Sequence, residues 1–231
     1  MNNKDLGKLE QRIGITFKDQ NVLMQAFIHR SYLNEHPSFP FNHNERLEFL
    51  GDAILELVVT EYLFNNYPNP EGELTNWRAA LVNAKSLSEV AKDLGLDEYL
   101  YLSHGEAKDS QGKARQYILA NTFESLVGVI YLDQGLDAAR KFIKEFVLVK
   151  LQYILEHQLY LDPKSRFQES SQDVAGVTPS YRVIGEQGPD HAKEFTVGVY
   201  LGEELVATGV GSSKQEAQVA AAEKALEVKG W

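Results

Sequence analysis

Glu45, Glu48, Asp52 and Glu56 recur every three or four residues within NERLEFLGDAILE, the segment from Asn44 to Glu56. At about 100° per residue the four fall within roughly 80° of one another, so a helix here gathers all four carboxylates on one stripe. Acidic residues at helical spacing ordinarily form a solvated face. On the same wheel, however, Phe49, Leu55 and Val59 flank the stripe while Leu47, Leu50, Ile54, Leu57 and Val58 cover the opposite side. A helix apolar on nearly every side is expected to be buried. Carboxylates crowded there repel one another and lose hydration unless a cation sits among them. The chain has no Cys and the ligands on offer are oxygens, which points to Mg²⁺, with Mn²⁺ as an alternative. A second segment, YILANTFESLV from Tyr117 to Val127, sets Asn121 and Glu124 on one helical face, both offering oxygen. Taken alone, these two are ordinary polar-face residues; paired with the first stripe they become ligand candidates.

Positioning two such stripes requires a helical frame, and the apolar pattern supplies one. From Leu6 to about His157, apolar residues recur at three- and four-residue spacing, in stretches starting at Asn21, Asn44, Ala84, Ala114 and Leu136. Breaks are expected at Pro37 to Pro40, Tyr67 to Gly72, and around Gly95 and Gly105. After Leu161 the pattern changes. A short helix, Pro163 to Ala175, precedes three runs of period-two alternation, Tyr181 to Ile184, Phe195 to Leu201 and Leu205 to Val210, the last two joined by a turn at Gly202-Glu203. A final helix opens on Ser213-Lys214-Gln215-Glu216, a capping-box pattern. The expectation is an all-α domain over residues 1–159 and an α+β domain, ordered α-β-β-β-α, over residues 162–231.

Composition narrows the function classes. The absence of Cys excludes disulfides and thiolate zinc sites and suits a reducing compartment, so the cytoplasm is expected. Met1 to Glu10 is charged and lacks a signal peptide's apolar core, and no run approaches the roughly 20 apolar residues of a membrane span. The net charge of −10 argues against a general polyanion binder. Dividing the chain does not change this: residues 162–231 carry 7 basic and 11 acidic side chains, leaving 16 and 22 for residues 1–161. Any nucleic-acid contact must come from local clusters or bound metal.

NERLEFLGDA, Asn44 to Ala53, closely resembles the signature of the ribonuclease III family. His29-Arg30-Ser31-Tyr32, Glu71-Gly72-Glu73-Leu74 with Arg78, and ILANTFESLVGVIYLDQG from Ile118 to Gly135 resemble further family segments in the same order. The C-terminal region resembles the double-stranded-RNA-binding domain through Lys164, Gln168-Glu169, Gly188-Pro189-Asp190-His191 and Gly211-Ser212-Ser213-Lys214. The resemblance implies an Mg²⁺-dependent endoribonuclease that cuts double-stranded RNA to 5′-phosphate and 3′-hydroxyl ends, in the processing of ribosomal and other RNA precursors. It implies catalytic roles for Asp52 and Glu124, metal ligation by Glu48, Asn121 and Glu124, and Glu45 and Glu71 as supporting acids. It also implies a homodimer in which Phe49 is a contact, whereas on pattern alone Phe49 is equally core. Gln168, Glu169, His191, Ser213 and Lys214 would meet A-form RNA.

Two positions depart from the family pattern. Asn121 stands where the family carries Asp, bringing one fewer negative charge to an ion. Gln215 follows Lys214 where two adjacent lysines are usual, which implies weaker and less salt-sensitive RNA binding. Asn121 also supports the alternative of a catalytically weak or inactive double-stranded-RNA-binding protein, against which the retained Glu45, Glu48, Asp52 and Glu124 weigh. His29 and Ser31 show no third member or oxyanion arrangement, and a capping role is expected for them.

Overall fold

The computed structural model describes residues 4–109, 112–189 and 193–231, and the chain divides into two compact units, Met1–His157 and Gln158–Trp231. The first is built of helices: α1 (Leu6–Ile13), α2 (Gln20–Gln25), α3 (Arg30–Glu35), α4 (Glu45–Asn66), α5 (Glu71–Val82), α6 (Ala84–Asp93), α7 (His104–Lys108), α8 (Lys113–Gln134), α9 (Leu136–Phe146) and α10 (Leu151–Glu156), with short 3-10 turns at Leu96–Tyr99 and Leu148–Lys150. Side-chain caps set several of these starts. The Asp19 carboxylate accepts from the Asn21 and Val22 amides, and the Asn83 side chain accepts from Ser86 N–H where α5 turns into α6. His29 caps α3, its Nδ1 accepting from Ser31 N–H at 3.3 Å and lying 2.8 Å from Ser31 Oγ, as its expected capping role requires. Gly105 does not break the chain as expected. It lies within the single turn of α7, whose start Ser103 caps.

The central pair is α4 and α8, each 22 residues long. Leu47, Ile54, Leu55, Val58 and Val59 of α4 and Ile118, Leu119, Phe123, Leu126 and Val127 of α8 are buried. A Cβ on Gly51 would overlap the Glu124 carbonyl oxygen, and one on Gly128 would overlap the Leu47 carbonyl oxygen. The two helices therefore approach backbone to backbone, because each offers a glycine at the other's surface. One expectation for α4 is overturned: it is not buried on nearly every side. Phe49, Leu57 and Phe64 are exposed, Phe49 at 81%, so the packing of this unit uses only part of the helix's apolar circumference.

The second unit consists of α11 (Pro163–Ala175), an antiparallel sheet of β1 (Ser180–Gln187), β2 (Glu194–Leu201) and β3 (Glu204–Gly211) in that order, and α12 (Lys214–Lys229). β1 runs further than its alternation suggested because the register shifts between Val183 and Gly185, which interrupts the period of two. Phe167 and Val199 pack against Ala221, Ala222, Ala225 and Leu226 of α12, and the Trp231 ring stacks on Phe167 at 5.5 Å. The capping box at α12 is displaced by one residue. Ser213 Oγ accepts from Glu216 N–H at 3.2 Å, but the Glu216 carboxylate returns to Ser212, accepting from its N–H at 3.0 Å and its hydroxyl at 2.6 Å. Among the described residues, no helix is long and apolar enough to cross a membrane.

Replacing a mid-helix glycine by alanine ordinarily stabilises by about 0.5–1 kcal/mol. At Gly51 the sign should reverse. The new methyl group meets backbone that cannot rotate away, and overpacking of this kind costs roughly 1–3 kcal/mol or more. Gly51→Ala is expected to lower the urea midpoint clearly, and a midpoint at or above that of the unchanged protein would show that the helices can part without cost.

Candidate active site

The crossing of α4 and α8 brings the two polar stripes together. Glu48 is half-buried on α4, Asp52 is exposed one turn on, and Asn121 and Glu124 are half-buried on α8. Burial pushes the Glu124 carboxyl up to about 8, and the charges of Asp52, Glu48 and Glu56 push in the same direction. Glu48 is also raised, first by burial and then by Glu45, with Asp52 adding to it; a hydrogen bond from the Asn121 side chain opposes the rise. Asn121 is thus oriented as a donor toward Glu48, a part that an aspartate could not play.

Glu45 acts on the centre through Glu48 and is itself met by two basic groups, 3.8 Å from Arg30 Nη1 and 3.6 Å from His43 Nδ1. Glu71 sits in the exposed first turn of α5, where Thr75 Oγ1 donates to it at 3.0 Å, and it is not among the carboxylates acting on Glu124. Glu56 takes that place. It belonged to the original stripe but to none of the assigned roles, and Arg78 Nε of α5 holds it at 2.9 Å while Arg78 Nη1 donates to Thr60. Heptad-like spacing had already marked Glu56, whereas Arg78 could be linked to it only through the packing of α5 on α4.

Whether these residues suit a divalent cation can be judged from their chemistry. Three carboxylates and an amide, all oxygen donors, share a patch in which burial and neighbouring negative charge raise Glu48 and Glu124, the environment a hard cation relieves. Among the described residues no group of three His, Asp or Glu side chains is drawn close enough to enclose an ion unaided. The donor set fits a metal. It would have to tighten around one.

In the second unit, Gln168 and Glu169 are exposed on α11, and Ser213 and Lys214 are exposed at the start of α12. His191 lies outside the described residues. Lys164 is engaged internally, donating to Gln218 Oε1 at 2.7 Å with its ammonium 5.1 Å from the Tyr181 ring centre.

Residues 19–151 match the Ribonuclease-III-like family and residues 163–229 match the double-stranded RNA binding motif. The curated ribonuclease 3 of Chloroflexus aurantiacus is 48% identical over 225 residues, covering 96% of this chain and 90% of the relative. The chain belongs to the ribonuclease III family. It is accordingly an endoribonuclease. The ribonuclease 3 of Enterococcus faecalis is 44% identical, with 98% of each chain covered. Among solved structures, the ribonuclease III nuclease domain of Campylobacter jejuni is similar at 37% identity and a TM-score of 0.53, covering 62% of this chain and 98% of that one; that work concerns flexibility in a region involved in dimer formation.

The raised carboxyl has a measurable consequence. Glu124 in the folded, metal-free protein keeps a proton up to about pH 8, whereas unfolded it releases it near the ordinary value of 4.5. Its contribution to stability is therefore complete below the unfolded value and is lost as pH rises toward the folded one. In EDTA, Glu124→Gln should melt higher than the unchanged protein at about pH 8, and the two curves should converge near about pH 5. A Gln variant less stable at the higher pH would mean that Glu124 is not held in a repulsive, desolvated site.

Proposed function

We propose that the chain is a divalent-metal-dependent endoribonuclease, with Mg²⁺ as the working ion, that hydrolyses double-stranded RNA to 5′-phosphate and 3′-hydroxyl ends in the processing of ribosomal and other RNA precursors. Residues 1–159 form the catalytic domain and residues 162–231 the RNA-binding domain, in a protein that works in the cytoplasm. The observation that carries this reading is the crowding of Glu48, Asp52 and Glu124 into one patch, where Glu124 is driven up to about 8. Glu48, Asn121 and Glu124 would hold the ion, Asp52 completes the catalytic pair with Glu124, and Glu45 adds negative potential. When bound, the ion supplies activation of a water and neutralisation of charge on the scissile phosphate. Glu71 is a supporting acid that faces substrate. Gln168, Glu169, His191, Ser213 and Lys214 read the A-form duplex by shape and 2′-hydroxyls.

The same reading includes a homodimer. Phe49, Ala53, Leu57 and Phe64 fall within about 80° of one another on α4, and all are exposed. Burying a Phe side chain is worth roughly 1.5–3 kcal/mol, so an open stripe of this kind favours a covering surface. It directly borders the acidic stripe. A second copy seated there would set two acidic centres beside one interface.

Incubation with a long RNA duplex and Mg²⁺ should give a product ladder that EDTA abolishes, and Glu124→Gln should end cutting while duplex binding stays nearly intact. A gel shift without cutting by the unchanged protein would instead support the binding-protein alternative that Asn121 suggests.

Asn121 gives a sharper expectation. Asn121→Asp exchanges a donor to Glu48 for a further negative charge, which strengthens attraction for an ion and worsens repulsion without one. The variant should need less Mg²⁺ for half-maximal cleavage and melt lower in EDTA. An equal or greater Mg²⁺ requirement would place Asn121 outside the ligand set.

A further inference from the structure

Apart from the acidic centre, the first unit has a cavity of about 350 Å³ whose walls include Lys4 before α1, Tyr32 of α3, Asp97 of the first 3-10 turn, Tyr101, Ala107 of α7 and Arg115 in the first turn of α8. Two cations there face one carboxylate. Lys4 is fixed in place: its ammonium donates to the carbonyls of Glu98 at 2.9 Å and Leu100 at 2.7 Å and lies 5.1 Å from the centre of the Tyr101 ring. An ammonium has three protons, so one is left. Arg115 is less well satisfied. Its Nη1 is buried without a hydrogen-bond partner among the described residues. The two cations also repel, since burial lowers the Lys4 pKa and the Arg115 charge lowers it further, with Asp97 opposing. Tyr32 and Tyr101 meet edge to face at 5.3 Å and supply an aromatic wall, beside which an unpaired donor is unfavourable.

We propose that this cavity binds a small phosphate monoester that carries hydroxyl groups, a mononucleotide or sugar phosphate. Phosphate oxygens accept from Arg115 Nη1 and from the remaining proton of Lys4, and the negative charge relieves the repulsion between the two cations. Asp97 works against a bare oxyanion. It can, however, accept from a hydroxyl of the same ligand, which favours a sugar phosphate over inorganic phosphate. The volume lies at the small end of the roughly 300–1,000 Å³ that small-molecule sites occupy, which suits a single nucleotide. The site is separate from the acidic centre but shares an element with it. Arg115 precedes Asn121 by six residues on α8, about 9 Å along the helix axis.

The test titrates uridine 5′-monophosphate, inorganic phosphate and uridine separately into the full chain in EDTA, followed by calorimetry. The nucleotide should bind at one site per chain, inorganic phosphate about tenfold more weakly for want of the hydroxyl contact, and uridine not measurably. Arg115→Gln should weaken nucleotide binding about tenfold or more. Arg115→Lys, which keeps the charge but loses the planar fork, should weaken it by about threefold, and it carries the test if the Gln variant does not fold. Lys141→Gln removes an exposed cation of α9 and should leave the affinity unchanged. Asp97→Asn should narrow the gap between nucleotide and inorganic phosphate by removing a negative charge beside the anion. Nucleotide binding that survives substitution of Arg115, or equal affinity for uridine, overturns the inference. So does displacement of the nucleotide by a short RNA duplex that Arg115→Gln also binds more weakly, because the two cations would then belong to an RNA surface.

Discussion

Backbone contact between α4 and α8 is the constraint on which the acidic centre depends. Helices packed through ordinary side chains keep their axes 8–10 Å apart or so, and at that distance carboxylates on adjacent faces can point away into water. Gly51 and Gly128 remove the intervening side chains, each leaving room for a carbonyl of the other helix. Glu124 follows from this directly, because its own backbone oxygen is the atom that lies against Gly51. Its side chain emerges beside Asp52, the next residue of α4. The glycines that lower helix propensity are thus what sets the carboxylates together.

That proximity works against the fold. At pH 7 a carboxyl whose pKa has risen from 4.5 to about 8 holds its proton while the unfolded chain releases it, and this difference costs the metal-free fold roughly 3 kcal/mol. Domains of this size have only about 5–15 kcal/mol in total. The apolar packing around the centre has to carry that strain, and it is dense where it matters: Leu55, Val59, Phe123, Leu126 and Val127 are fully enclosed within two turns of the acids. Asn121 moderates the repulsion by donating to Glu48. Its amide therefore trades some attraction for a cation against stability without one, which gives a physical sense to a residue that looked like a simple loss of charge.

Much of this was legible in the sequence where one residue's neighbours along the chain determine its setting. Helical period, strand alternation and the Ser213 cap are local, and the stripe of Glu45, Glu48, Asp52 and Glu56 is a matter of spacing alone. What was not legible depends on other elements. The wheel of α4 could not distinguish apolar residues facing α8 from the open run of Phe49, Leu57 and Phe64, since both are simply apolar. The coupling of Glu56 to Glu124 across the helix crossing is likewise a tertiary fact. The pairing of Arg78 with Glu56 joins residues 22 positions apart. No local pattern announces it.

Net charge is a poor guide here for the same reason. Screening confines electrostatic influence to about 10 Å at moderate salt, so a total of −10 says little about any single surface. Several acids of the first unit are already answered by cations, as in Glu56 with Arg78, Glu61 with Arg140 and Glu89 with Lys150. Others are concentrated where a metal ion would offset them. In the second unit Lys214 stands at the positive end of a 16-residue helix, a local field that the total charge does not describe. An acidic protein can therefore grip a polyanion, provided that its negative charge is either paired or placed where the chemistry needs a cation.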